Sequence, residues 1–76
     1  MNFCNSCRNV RVGENNDGDT IPEAMEGIRD VATVLPPMAY AMMESMLPQA
    51  RKGGACQSCL GTLQSIKDEM ARILNS

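Results

Sequence analysis

Two short stretches decide how this chain of 76 residues folds: Cys4-Asn5-Ser6-Cys7 near one end and Cys56-Gln57-Ser58-Cys59 near the other. Together they contain all four cysteines of the sequence. Two cysteines three positions apart can direct both sulfurs at one ion, and two such pairs complete the tetrahedral four-sulfur shell that structural zinc prefers. The sequence therefore predicts one structural Zn²⁺, with Cys4, Cys7, Cys56 and Cys59 as its ligands.

Other uses of the four cysteines are open at this stage. A rubredoxin-like iron site has the same four-sulfur shell, although nothing else in the sequence points to electron transfer. Disulfides would be expected if the protein were exported to an oxidising compartment. A dithiol redox protein is a further alternative, but the sequence lacks the βαβ context of a thioredoxin-like motif. Structural zinc is the favoured reading.

A chain of 8.3 kDa buries only about 60% of the surface that its unfolded form exposes, so its core alone is marginal. Aromatic residues make up only 3% of the sequence, and seven methionines contribute to the apolar fraction of 43%. Domains of this size commonly need a disulfide, a metal or a partner chain for stability. A metal that joins the two cysteine pairs would supply that stabilisation, because it closes a long loop.

The segment 21–50 is predicted to form a helical hairpin. Thr20 can act as the N-cap, Glu23 stands three residues later as its capping-box partner, and Pro22 is tolerated in the first turn. The apolar residues of the first helix then follow the i, i+3, i+4, i+7 pattern of one helical face: Ile21, Ala24, Met25, Ile28, Val31, Ala32 and Leu35.

Prolines divide the hairpin. Pro36 and Pro37 end the first helix, because the residue before a proline is pushed out of the helical region. The second helix is expected to run from Pro37 to about Leu47, with Pro48 ending or kinking it. After a basic, glycine-containing turn, a C-terminal helix is predicted over 56–75.

The segments before the hairpin are predicted to be non-helical. Residues 1–12 are expected to form a zinc knuckle or a short β-ribbon, because Val10 and Val12 alternate with polar residues. Residues 13–20 are expected to form a polar loop, since asparagine, aspartate and glycine favour turns. The fold class predicted for the single domain 1–76 is thus mostly α: three helices with a zinc site joining the two ends of the chain.

The two ends of this arrangement resemble treble-clef zinc fingers. In such fingers a knuckle supplies the first cysteine pair and the start of a helix supplies the second, which corresponds here to 4–12 and 56–75. The resemblance implies a structural zinc site, with the helical hairpin as an insertion between its two halves.

The net charge of −2 is unevenly distributed, because residues 14–30 alone carry six acidic residues and one arginine. A protein that binds nucleic acid chiefly through phosphates is expected to have a basic excess. This balance disfavours nucleic-acid binding but leaves a zinc-finger regulator as the alternative function. Its candidate contact residues flank the cysteine pairs, where they can also offset the thiolate charge: Arg8, Arg11, Arg51 and Lys52.

Catalysis is not expected. The sequence contains no histidine and a single tyrosine, and a closed four-cysteine shell has no open position for a substrate. We expect a protein that is not an enzyme.

Four methionines lie within nine residues of the second predicted helix: Met38, Met42, Met43 and Met46. They can fill gaps in a core that is poor in aromatic residues, or they can form an adaptable apolar surface for another protein or a second copy of the chain. The leading hypothesis is a protein–protein interaction module that binds a partner through these methionines or the acidic segment 14–30. It would act as an adaptor or inhibitor, and its small size would suit a regulator of a phage or mobile element.

The expected location is the cytoplasm. The N-terminus shows no basic region followed by an apolar one, as a secretory signal would. The most apolar stretch, 31–47, contains two adjacent prolines and Glu44, so no membrane span is expected.

Overall fold

Three helices make up most of the fold in a computed structural model that describes residues 3–15 and 17–75. The helices are α1 (Ile21–Ala32), α2 (Pro36–Lys52) and α3 (Gln57–Asn75). Four residues lie outside the described part of the chain: Met1, Asn2, Asn16 and Ser76. The predictions for the ranges 1–12, 13–20 and 1–76 are therefore compared with the structure without these positions. The predicted mostly helical class with three helices is confirmed.

Helix α1 begins as predicted and ends earlier than predicted. The Thr20 backbone N–H donates to Glu23 Oε1 at 3.0 Å, and the Thr20 hydroxyl donates to the same oxygen at 2.8 Å. The helix stops at Ala32, and Leu35 is the N-cap of α2 with φ −133° and ψ 76°. The apolar pattern therefore extends past the helix end, because Pro36 excludes the helical conformation at Leu35.

Helix α2 is longer than predicted: of the two outcomes expected at Pro48, an end of the helix or a kink, the end is wrong. The helix continues through Pro48 to Lys52. The proline removes the hydrogen bond to the carbonyl of Glu44, but both residues are exposed, so water can reach that carbonyl. The fixed φ of proline is itself helical, and the next turn buries Ala50 in the core, which favours its continuation.

A tight turn joins α2 to α3. Gly54 has φ 96°, a conformation that glycine adopts without steric cost. The Ala55 N–H donates to the Ala50 carbonyl at 3.0 Å. This turn brings Cys56 and the first residue of α3, Gln57, back to the end of the molecule where the chain starts.

The N-terminal segment forms a knuckle-like turn, and the alternative of a β-ribbon is wrong for the described residues. Residues Cys7–Asn9 form a 3₁₀ turn, and the β-pairing found in 3–15 and 17–20 is a single bridge between Arg11 and Thr20. The reason is length: extended backbone begins only at Val10, and the opposing strand enters α1 directly after Thr20.

The core lies between the three helices and the N-terminal segment. Helix α2 is central, because it packs against both α1 and α3. Lys67 of α3 places its ammonium group 5.8 Å from the centre of the Tyr40 ring on α2, a cation–π contact. The buried apolar residues are Phe3, Cys7, Val12, Ile21, Met25, Ile28, Ala39, Met43, Met46, Leu47, Ala50, Cys59, Leu60 and Leu63. Within the described chain, no helix is both long and apolar enough to cross a lipid bilayer.

Candidate metal centre

The four cysteines meet at one end of the helical bundle. All four sulfur atoms, those of Cys4, Cys7, Cys56 and Cys59, lie within 4.8 Å of one another. The Sγ atom of Cys4 is 3.7 Å from that of Cys56 and 3.8 Å from that of Cys59. The predicted clustering of the two pairs, which links the N-terminal segment to α3, is confirmed.

These distances fit a tetrahedral metal site. A zinc ion with four Zn–S bonds of about 2.3 Å has sulfur–sulfur edges of about 3.8 Å. Two of the measured distances match that edge, and the remaining sulfurs are close enough to reach it with small side-chain rotations. A disulfide needs a sulfur–sulfur distance of about 2.05 Å, and the four cysteines are free. The donor set and geometry therefore fit one Zn²⁺.

The two cysteine pairs are built in the same way, and both have the sequence Cys-x-Ser-Cys. In each pair the first cysteine is exposed and the second is buried. The carbonyl of each first cysteine accepts a helical hydrogen bond from the residue four positions later, Arg8 at 3.1 Å and Leu60 at 2.9 Å. Each pair thus lies at the start of a helical turn. The first pair leads into the short 3₁₀ turn Cys7–Asn9, and the second pair leads into α3.

The pairs also exchange backbone hydrogen bonds. The Cys4 N–H donates to Cys59 Sγ at 3.4 Å, and the Cys56 N–H donates to Cys7 Sγ at 3.2 Å. The first cysteine of each pair therefore supports the buried sulfur of the other pair. These N–H donors were not identified from the sequence, although the repeated Cys-x-Ser-Cys pattern was a signal that the two halves would be equivalent.

The protonation of the thiols follows from these contacts. The backbone N–H of Cys59 and the thiols of its neighbours lower the pKa of Cys56 to about 7. The hydrogen bond from the Cys56 N–H lowers the pKa of Cys7. The Cys4 thiol and burial have a larger opposite effect, so the pKa of Cys7 is raised to about 12. For Cys59 the Cys4 N–H also lowers the pKa, while burial and the Cys56 thiol produce a net rise. Of these three thiols, that of Cys56 is thus the most readily deprotonated.

A divalent cation changes that balance. Zinc coordinates thiolates, so its binding displaces the remaining protons. The four-sulfur shell then carries a net charge of −2. Arg8, Arg51 and Lys52 are exposed and flank the cysteine pairs in sequence, Arg8 directly after Cys7 and the other two within five positions of Cys56. Their charges can offset that of the shell. With four protein ligands the shell is complete, as in structural rather than catalytic zinc sites.

The fourth basic candidate, Arg11, lies against the polar loop. Its Nη1 donates to the Gly18 carbonyl at 2.8 Å. Its charge also helps to lower the pKa of Glu23, an effect smaller than that of the Thr20 hydrogen bonds. Arg11 is therefore occupied by contacts within the molecule.

The structure separates the four methionines of α2. Met43 and Met46 are buried, with exposed fractions of 0% and 3%, whereas Met38 and Met42 are exposed at 54% and 36%. The apolar surface of α2 is thus limited to Met38 and Met42. It is extended at the α1–α2 connection by Val34 and Leu35, which are also exposed.

The fold and site define a small helical domain in which a cluster of four cysteines, with a geometry suited to zinc, links the N-terminal segment to α3. Comparisons with protein families, with curated proteins and with solved structures give no match for this chain. The second cysteine pair opens a helix, as the treble-clef resemblance implies, but the first is followed by a 3₁₀ turn instead of a ribbon.

Proposed function

We propose that this protein is a zinc-stabilised protein–protein interaction module that acts as an adaptor or inhibitor. The observation that carries the proposal is the group of exposed apolar side chains around the start of α2: Val34, Leu35, Met38 and Met42. Monomeric proteins rarely leave large apolar side chains grouped at the surface without a use for them.

The separation between the four cysteines and the exposed methionines supports this function. The four cysteines lie at the opposite end of α2 from Met38, because the chain returns through the α2–α3 turn to reach Cys56. A metal at that end stabilises the fold and leaves the start of α2 accessible. Methionine suits a contact surface, since its unbranched, polarisable side chain adapts to different partners.

The proposal is tested by site-specific photocrosslinking in cells of the native source. A photoreactive residue replaces Met38 in one variant and the exposed Ser65 of α3 in a matched control. We expect a discrete crosslinked species from position 38 and none from position 65. A crosslinked species at twice the mass of the chain would identify a second copy as the partner. Equal, diffuse labelling from both positions would contradict the proposal.

A nucleic-acid-binding regulator is the alternative, supported by the exposed Arg8, Arg51 and Lys52, which flank the cysteine pairs in sequence. It is weakened by the contacts of Arg11 with Gly18 and by the overall negative charge. The double charge reversal Arg51→Glu with Lys52→Glu distinguishes the two functions. Salt-sensitive retention on DNA or RNA that this variant loses would support the alternative.

A further inference from the structure

A groove between α1 and α2 lies outside the metal centre, and core residues form its base. It has a volume of about 290 Å³ and is lined by residues within 23–28 of α1 and 42–49 of α2. Pockets that enclose a drug-sized ligand have volumes of about 300–1,000 Å³. This groove is at the lower limit of that range, so it suits the side chains of a partner segment better than a free small molecule.

The floor of the groove is apolar. Val12, Ile28, Met42 and Met46 line it, and Gly27 of α1 opens it further. A Cβ atom built on Gly27 would have no neighbouring atom within 4 Å. The absence of a side chain at this position leaves room for a partner to approach the α1 backbone closely.

The rim of the groove is acidic. Asp19 and Glu23 line one end. Asp30 is exposed and lies outside the lining of the groove, three positions after Gly27 on α1. Glu23 precedes Gly27 by four positions, so the two carboxylates flank Gly27 on the same helical face. The segment 14–30 that contains all three carboxylates has a net charge of −5. The charge of Arg11 also acts on Glu23, but three carboxylates outweigh one guanidinium group, so the charge complementary to this rim is positive.

The polarity of the groove changes along its length. Asp19, Glu23 and Gln49 lie at the end nearer the polar loop, and Met42 lies at the other end, from which α2 continues to the exposed Met38. A helix placed in a groove between two helices presents residues at i, i+3, i+4 and i+7 to it. We propose that the α1–α2 groove binds a cationic amphipathic helix of another protein, with its apolar face on Met42 and its Lys or Arg residues at the carboxylates. This inference rests on the proposed function and names the chemistry of the partner.

The test uses the zinc-loaded protein and a defined probe, a fluorescent 18-residue helical peptide with leucines on one face and lysines on the other. A peptide with glutamate in place of every lysine is the charge control. We expect saturable 1:1 binding of the lysine peptide by fluorescence anisotropy and no binding of the glutamate peptide. The Met42 methyl resonance is expected to shift on binding, while that of Met70, on α3, is not.

The two open glycines of the helices provide matched variants. Gly27→Leu places a side chain in the groove, whereas Gly61→Leu makes the same change on α3, where a Cβ also has no neighbour within 4 Å. Both changes favour the helical state, and circular dichroism and zinc content check that both variants fold. We expect Gly27→Leu to weaken peptide binding about tenfold or more, as blocking a central contact does, and Gly61→Leu to leave it unchanged.

The carboxylates are tested separately. The double variant Asp19→Asn with Asp30→Asn is expected to weaken binding roughly fivefold at low ionic strength, with the difference lost at high salt. Absence of saturable binding, equal binding of the glutamate peptide or normal binding by Gly27→Leu would overturn the inference. If position 38 still gives a discrete crosslink in that case, the interaction function stands and only the proposed occupant is wrong.

Discussion

Gly18 closes the polar loop through a contact that a larger residue could not make. Its N–H donates to the Val12 carbonyl at 3.0 Å, and a Cβ at this position would lie 2.5 Å from the Val12 oxygen. The neighbouring Gly13 has φ 131°, and its N–H donates to Gln49 Oε1 at 2.8 Å. These two glycines let the loop fold back onto α2 beside the groove.

We expect Gly18→Ala to destabilise the protein by about 1–3 kcal/mol, because the new Cβ forces the loop away from Val12. The matched control is Gly27→Ala, which meets no atom within 4 Å and should stabilise by about 0.5–1 kcal/mol through its helix propensity. Urea unfolding of the zinc-loaded variants measures both changes. Equal stability of the two variants would contradict the role of the close approach.

The metal ligands are the second prediction at this scale. We expect Cys7→Ser to lose bound metal and most of the helical signal at room temperature, because three ligands cannot complete the shell and the core is small. Ser6→Ala, next to it in the exposed part of the pair, should keep both. Metal analysis and far-ultraviolet circular dichroism give the two readouts. A Cys7→Ser protein with full helicity and one bound zinc would show that Cys7 is not a ligand.

Residue identity was sufficient to predict that the four cysteines cluster, because two cysteine pairs at this spacing are typical of one shared metal site. Residue identity was insufficient to predict which methionines are buried and which are exposed. Met38 and Met46 share one helical line in the sequence, yet one is exposed and the other is buried. Their difference depends on how far α1 extends beside α2, which the pattern of α2 alone does not contain.

Among the elements, α1 has the clearest local signal for where it starts. The Thr20 backbone N–H and hydroxyl both donate to the Glu23 carboxylate and, with a smaller contribution from Arg11, lower its pKa. A carboxyl group with a lowered folded-state pKa stabilises the fold above the pKa of the unfolded chain. That contribution is lost as the pH falls through the lowered folded-state pKa.

Glu23→Gln should therefore lower the urea midpoint at neutral pH, because the amide keeps only part of the hydrogen bonding to Thr20. The difference between the variant and the unmodified protein should shrink as the pH falls below the usual glutamate range. Unfolding curves are collected at successive pH values on both proteins, and the two urea midpoints are compared at each pH at which metal analysis shows that both proteins still hold zinc. A difference that stays constant with pH would indicate that Glu23 acts by packing and not by charge.

The second helix shows the limit of local signals. Proline is unfavourable inside a helix, so the sequence predicts an end or a kink at Pro48, and the helix continues through Pro48 to Lys52. Burial of Ala50 against the neighbouring elements outweighs a lost hydrogen bond at an exposed position. Long-range packing of this kind is absent from any local pattern.

At the scale of the whole molecule, the metal centre joins the N-terminal segment to the start of α3. We expect one Zn²⁺ per chain by metal analysis, and cooperative unfolding when a strong chelator removes it. Iron in place of zinc would keep the fold and change only the identity of the ion. Metal-free protein that remains fully folded would contradict the stabilising role of the site.

Acid should have the same effect as chelation. Metal binding requires four thiolates, and the raised pKa values of Cys7 and Cys59 mean that protons compete with the ion. The affinity for zinc should therefore fall as the pH is lowered, and each bound zinc should release protons measurable by calorimetry in buffers of different ionisation enthalpy. A pH-independent affinity would exclude thiolate ligation.

The sequence by itself determined the helical class, the start of α1 and the four cysteines that cluster, because each depends on residues that are close in the chain or chemically distinctive. Only the tertiary structure decided the length of α2, the absence of a ribbon in the described N-terminal segment and the exposure of each methionine. It also decided the groove beside Gly27. These features arise from contacts between segments that are far apart in sequence. The free energy of those contacts depends on which surfaces meet when the two cysteine pairs come together.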